Sequence, residues 1–261
     1  MRIVVCVKQV PDPNAGVARI DPGTKRLVRD GVPNILDPGV EVALEAALQL
    51  AEAGGDNTVT ALAMGPESAT EALRRALAMG AHEAALVTDP GLAGSDTLGT
   101  ARALAAAIKQ VGFDLVVCAT ESTDGYSGMV PGMVAELLGV PHLSFIRQLS
   151  ATGDAITAQR VTAHGYQTLR CALPALVAIA SGSHEPRYPA LRGIMAAKRK
   201  QIATYDLAAL GLGAADAGEA GARERVLALQ PAEQRSAGAV IEDDGTAAAR
   251  IADFLQQRGV L

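Results

Sequence analysis

TVTALAMGPESATEALRRALAMGAHEAALVTDPGLAGSDTLGTARALAAAIKQVGFDLVVCAT, residues 58–120, decides the fold. Three apolar runs, TVTALAM at 58–64, AALVTD at 84–89 and DLVVCAT at 114–120, are separated by two stretches of helical period. The runs are continuous rather than alternating, which is the pattern of strands covered on both faces. Gly65-Pro66 predicts a turn, and the spacing predicts a helix from Glu67 to Ala78 closed by Gly80. After PGLAGSD, a second helix is expected over TLGTARALAAAIKQV, ending at Gly112. Strands alternating with helices imply a parallel sheet, because right-handed crossovers put helices on both faces and gather the loops after the strands at one edge.

Upstream, RIVVCV at 2–7 is a fourth strand, and it stops at KQVPDPNAG, where two prolines and a glycine forbid regular structure. The next segment turns at Asp21-Pro22-Gly23 and at Asp30-Gly31 around short extended pieces, a small excursion able to cover a site. Asp37 then suits an N-cap and Pro38 the first helical position, with apolar residues from Val40 to Ala51 at helical spacing before Gly54-Gly55. Beyond Pro141 alternating strands with a Gly153-Asp154 hairpin finish on a buried strand at 174–180 and complete the sheet. The expected fold is α/β: an open, mostly parallel, Rossmann-like sheet with helices on both faces. After Tyr205 the Ala- and Gly-rich composition reads as an extended arm rather than core, ending in an amphipathic helix that presents Ile251, Phe254 and Leu255. The expected division is a nucleotide-binding domain, 1–205, and a C-terminal arm, 206–261.

Composition narrows the partners. The 261 residues are 49% hydrophobic and 20% charged, an ordinary globular balance. A 3% aromatic share, no Trp and a net charge of −5 argue against nucleic acid. The opening MRIVVCVKQV is too short for a signal core and no apolar run reaches membrane-spanning length, so a soluble, cytoplasmic protein without membrane insertion is expected. Cys6, Cys118 and Cys171 lie far apart in apolar runs and read as reduced thiols; His82, His142, His164 and His184 lack metal spacing. No catalytic set and no metal site emerge.

The most informative loop follows the strand ending near Thr120. Thr120, Glu121, Ser122, Thr123, Asp124, Gly125, Ser127 and Gly128 precede a helix opening near Pro131, a polar, glycine-bearing approach to a helix N-terminus that can take an anion. It contains neither GxGxxG nor GxxxxGK[ST], and an ordinary strand-to-helix turn has the same composition. GSDTLGT at 94–100 offers Ser95, Asp96 and Thr97 either as helix caps or as site residues at the same edge. Lys8 projects from the first loop. Pro186 and Pro189 stiffen a segment that leads into cationic Lys198, Arg199 and Lys200, with Leu191 a candidate apolar anchor for a partner.

Several segments together resemble the beta subunit of electron-transfer flavoproteins: VCVKQVPD at 5–12, RDGVPNILDPGVEVALEAALQL at 29–50, ALRRALAMGAHEA at 72–84, STDG at 122–125 and EPRYPALRGIMAAKRK at 185–200. The resemblance implies a heterodimer whose alpha subunit carries the redox-active FAD, with AMP as a structural ligand of the beta subunit. Electrons would arrive from flavin-dependent dehydrogenases and leave to a quinone oxidoreductase or another acceptor. Carried over, the AMP site comprises Cys6 with Val7 and Lys8, then Asp37, Pro38, Gly39 and Val40, then Met64. Asp96, Thr97 and Thr100 join it, as does the loop Ala119, Thr120, Glu121, Ser122, Thr123, Asp124, Gly125, Tyr126, Ser127, Gly128, Met129 and Val130. The family's recognition loop corresponds to 184–200, with Glu185, Pro186, Arg187, Tyr188, Leu191, Ile194 and Met195 as partner contacts, and the C-terminal arm and helix would pack on the alpha subunit.

Three departures qualify this likeness. The loop lacks the Gln and Thr side chains that many members offer to phosphate, leaving backbone N–H groups and Ser127. Val161 stands where an acidic residue often follows the position of Arg160. IDPGTKRLVRDGVP and GSDTLGT look more like the bifurcating branch, whose beta site holds a second FAD and oxidises NADH.

Overall fold

The computed structural model describes residues 1–16, 19–29, 31–230, 238, 240 and 242–260. Asp30 of the expected turn and residues 231–237 of the expected arm lie outside the described residues. Strand β1 (Arg2–Val7) leads into a short excursion of β2 (Gln9–Pro11), β3 (Ile20–Asp21), β4 (Arg26–Leu27) and β5 (Asn34–Leu36). Then come α1 (Pro38–Glu52), β6 (Thr58–Met64), α2 (Thr70–Met79), β7 (Glu83–Val87), α3 (Thr97–Val111), β8 (Leu115–Ala119) and α4 (Val130–Leu138). A meander of β9 (His142–Thr152), β10 (Ala155–Thr162) and β11 (Gly165–Ala172) precedes β12 (Ala175–Ile179), α5 (Leu191–Arg199) and β13 (Ala203–Tyr205). Two further helices, α6 (Gly218–Gly221) and α7 (Ala247–Gln257), follow.

Nine strands form one sheet in the order β11-β10-β9-β12-β8-β1-β6-β7-β13. From β9 to β13 every neighbouring pair is parallel, and the hairpins β9–β10 and β10–β11 are antiparallel. The excursion forms two small antiparallel pairs, β2 with β5 and β3 with β4. Each side of the sheet has its own core: Leu44, Leu48, Leu73 and Leu77 of α1 and α2 pack on one face, Leu104, Ile108, Val134 and Ala135 of α3 and α4 on the other. The unbroken apolar runs are explained by this double cover, with Leu115, Val116 and Val117 all buried.

Several boundaries move. The expected helix at 67–78 begins as a 3-10 turn over Glu67–Ala69 before α2, and the expected strand at 84–89 gives way to loop after Val87, since Asp89 caps the next turn through Gly91 N–H. The first compact unit is Met1–Val226. Residues just past 205, read from composition as arm, pack here: Leu207, Leu210, Leu212 and Ala217 join the α3–α4 core. Their small, Gly-rich surroundings hide four well-spaced apolar anchors. The second unit, Leu227–Leu261, contains α7, whose Ile251 and Phe254 are exposed. No helix of the described residues is long and apolar enough to cross a membrane.

Candidate functional site

The loops after β1 and β8 meet at Asp37. Its wholly buried carboxylate caps α1 through Gly39 N–H (2.8 Å), and its other oxygen accepts the backbone N–H (2.7 Å) and hydroxyl (3.0 Å) of Thr123. Asp37 N–H also donates to the Lys8 carbonyl. One residue, through its backbone and its side chain, thus ties the loops after β1 and β8 to a helix N-terminus. The approach is close: a Cβ on Gly39 would lie 3.5 Å from Ala119 Cβ and 3.6 Å from the Glu121 carbonyl oxygen.

Asp124 makes the second junction. Lys8 Nζ reaches its Oδ1 at 2.6 Å and the Ser122 hydroxyl oxygen at 3.0 Å, while Arg29 Nη2 reaches Oδ2 at 2.6 Å. The Asp124 side chain is 3% exposed. Burial pushes its pKa up, but the Lys8 charge and the hydrogen bonds from Lys8, Arg29 and Ser122 outweigh burial and hold the carboxyl below its ordinary value. Two cations compensate the Asp124 carboxylate, while the carboxylates of Asp37 and Glu121 stand at the same edge. Beyond it, Tyr126 and Gly128 adopt left-handed backbone, and the loop enters α4 with no side chain capping the helix. A cavity of about 80 Å³ lies there, lined by Thr120, Glu121, Gly128, Pro131, His142, Ser144, Phe145 and Ala178. Phe145 is held at φ +56° where β9 bulges against β12, and its ring is exposed.

Other expected site residues are distributed more loosely. Val7 and Val40 are buried in the core beneath the edge, whereas Cys6, Met64 and Ala119 are only partly buried. Cys6 neighbours Cys118 on the adjacent strand; that neighbour and burial hold the Cys118 thiol well above its ordinary pKa, and neither cysteine is in a disulfide. Asp96 caps α3 through Gly99 N–H (2.7 Å), and its second oxygen accepts from Arg223 N–H (2.6 Å) and Glu224 N–H (3.1 Å). Its carboxylate is therefore engaged by this chain's own backbone. Thr97 and Thr100 lie half-buried in the first turn of α3, and Pro38, Gly125, Ser127 and Met129 are exposed or near the surface. The larger hollow, about 640 Å³, opens over β9 and β10 between Gln49, Arg147, Thr157 and His184, away from this edge.

A separate surface is built by residues 185–200. Tyr188 is 90% and Leu191 76% exposed, with Ile194 and Met195 also in solvent. Arg187 turns inward instead, onto Glu45 and Glu52 of α1. Arg29, Glu45 and Glu52 were not singled out from the sequence. A signal existed for Glu45, which sits inside the apolar stripe VALEAALQL and therefore needed a partner. Among the described residues no group of three or more His, Cys, Asp or Glu is placed to hold a metal.

Residues 24–210 match the model of the electron transfer flavoprotein domain. The electron transfer flavoprotein subunit beta of Megasphaera elsdenii is 41% identical over 253 residues, covering 94% of this chain and 93% of its own. That of Mycobacterium bovis is 40% identical over 264 residues, covering 99% of each. The caffeyl-CoA reductase-Etf complex subunit CarD of Acetobacterium woodii is 38% identical over 213 residues, covering 81% of this chain and 80% of its own.

Proposed function

The chain belongs to the electron transfer flavoprotein family as a beta subunit, and from that premise we propose that it pairs with an alpha subunit holding most of the FAD and binds AMP at the loop edge around Asp37 and Asp124. The FAD supplies the redox chemistry, and the protein's part is position and electrostatics. The observation that carries the reading is the Lys8–Asp124–Arg29 cluster beside the uncapped start of α4. It compensates the Asp124 charge and leaves the backbone donors at the start of α4 where a nucleotide phosphate would lie, which suits a loop that lacks the family's Gln and Thr. Asp37, by fixing Thr123 and Gly39, keeps those donors aimed. Ser127 and the backbone from 125 to 130 would hold the phosphate, with Cys6 and Met64 flooring the site. The flavin-dependent dehydrogenase would dock on Tyr188, Leu191, Ile194 and Met195, an exposed apolar patch on α5 and the turn before it, and a quinone oxidoreductase or another acceptor would take the electrons onward.

A second reading, in which the site holds a second FAD and serves NADH oxidation, is favoured by one feature: Arg29, delivered by the excursion that resembles the bifurcating branch, reaches Asp124. Co-expression with the alpha subunit, denaturation and chromatography of released nucleotides separates the two. One FAD and one AMP per heterodimer support the first reading; two FAD without AMP support the second. A complex with a single FAD and no other nucleotide overturns both assignments of the loop edge.

A further inference from the structure

Segment 185–200 is mounted on the rest of the molecule at both ends. At its start Arg187 spends four of the five N–H donors of its guanidinium on α1. Nε donates to Glu45 Oε2 (2.8 Å), Nη2 to Glu45 Oε1 (3.0 Å) and Glu52 Oε2 (3.0 Å), and Nη1 to Glu52 Oε1 (2.5 Å). The Arg187 backbone N–H joins them on Glu45 Oε2 at 3.2 Å, so the main chain is fixed as well as the side chain. Gln49 steadies Glu45 from the next turn of the helix at 2.8 Å. The Glu45 side chain is 5% exposed, and a carboxylate so buried is stable only with these donors in place.

At the far end, Arg74 of α2 donates to the carbonyls of Ala197 and Lys200, and Lys200 Nζ donates to the carbonyls of Ala81 (3.0 Å) and His82 (2.8 Å). Between the two clamps, Gly193 passes so close to α2 that a Cβ would lie 2.6 Å from the Ala78 carbonyl oxygen. The underside of the segment is consumed by these contacts, while Tyr188, Leu191 and Met195 face solvent. Such an arrangement makes a docking knob formed in advance, with its ordering cost met in folding rather than on partner binding.

We propose that Arg187, gripped by Glu45 and Glu52, is a positioning residue that keeps the partner-docking segment in its binding-competent form and does not itself touch the partner. This rests on the reading that residues 188–195 dock the dehydrogenase. A rigid planar fork suits the role, because a lysine ammonium has no such fork to pair bidentately with both carboxylates.

The test uses the heterodimer in four forms: wild type, Leu191→Ala, Arg187→Met and the milder Glu52→Gln, which removes only the more exposed half of the clamp. Amide hydrogen exchange of the free complexes is followed across 185–199, together with reduction by the flavin-dependent dehydrogenase that reduces the wild-type complex. If Arg187→Met lowers the competent fraction to about a tenth, KM for the dehydrogenase rises about tenfold at unchanged kcat. Exchange then quickens within 185–195 while flavin content stays at the wild-type level, and Glu52→Gln shows the same pattern more weakly. Leu191→Ala should raise KM without altering exchange. Unchanged exchange in Arg187→Met overturns the clamp. Faster exchange with an unchanged KM, while Leu191→Ala still raises KM, overturns the positioning role alone. An unchanged KM in Leu191→Ala as well overturns the docking reading. Should Arg187→Met fail to assemble, Glu52→Gln decides on the same two readouts.

Discussion

Asp37 Oδ2 receives both the backbone N–H and the hydroxyl of Thr123, a residue 86 positions away in sequence. The helix cap and the long-range loop tie are the same carboxylate, so local and tertiary structure fail together when it is removed. Asp37→Ala is expected to destabilise the chain by about 2–4 kcal/mol, the sum of a lost N-cap and donors left without an acceptor. Urea unfolding should show a lower midpoint at unchanged slope. A change below about 0.5 kcal/mol would show that water replaces the carboxylate without cost.

The Asp124 cluster predicts an acid response. Its folded pKa lies below the unfolded value near 3.8, so its contribution is complete above that value and is lost as pH falls through the folded pKa. The stability gap between wild type and Asp124→Asn should therefore be constant from about pH 7 to about pH 5 and narrow only on stronger acidification. A gap that already closes around neutral pH would contradict the placement of Lys8 and Arg29 on this carboxylate.

Gly125 borders the proposed phosphate position. A Cβ there meets Ser122 Oγ at 3.3 Å and comes within 3.9 Å of Lys8 Nζ. Gly125→Val, with its branched side chain, should crowd both and lower the AMP retained by the purified heterodimer several-fold. Nucleotide content and melting temperature equal to wild type would remove the loop from the site.

Gly193 inverts the usual helix rule. Replacing a helical glycine by alanine ordinarily stabilises by up to about 1 kcal/mol, but here the added methyl meets the Ala78 carbonyl oxygen at 2.6 Å. Gly193→Ala should instead cost about 1–3 kcal/mol, as overpacking does. Thermal unfolding reads the sign directly, and a stabilised variant would mean that α5 is less tightly seated on α2 than the geometry requires.

The parallel core was legible because burial on both faces writes itself as uninterrupted apolar runs, and the punctuation was local: Asp37-Pro38, Gly80 and Gly112 mark helix ends through their own backbone chemistry. The loop edge followed from topology, and the sequence named Asp37, Thr123, Asp124 and Lys8 without saying how they pair. That pairing depends on contacts across more than 80 residues, as with Lys8 and Asp124, which no local pattern encodes. Arg29 was invisible because an exposed-looking arginine in a turn-rich segment carries no mark of its distant carboxylate. The place of Arg187 in its motif points to a partner contact, and the geometry gives its guanidinium two carboxylates within the chain, Glu45 and Glu52. Leu207, Leu210 and Leu212 are unmarked in the sequence because three leucines among Ala and Gly give no helical or strand period.

The bulge that holds Phe145 at a left-handed angle also has a consequence for the chain before assembly. It turns a large ring outward beside Thr120, Glu121 and Gly128, on a molecule that already exposes Tyr126 and Met129. For a subunit of a heterodimer, surfaces of this kind are stickiest in the copy that has not found its mate. An unpaired chain is therefore the form most open to aggregation and proteolysis, and the ratio in which the two subunits are synthesised becomes a determinant of how much functional carrier a cell retains.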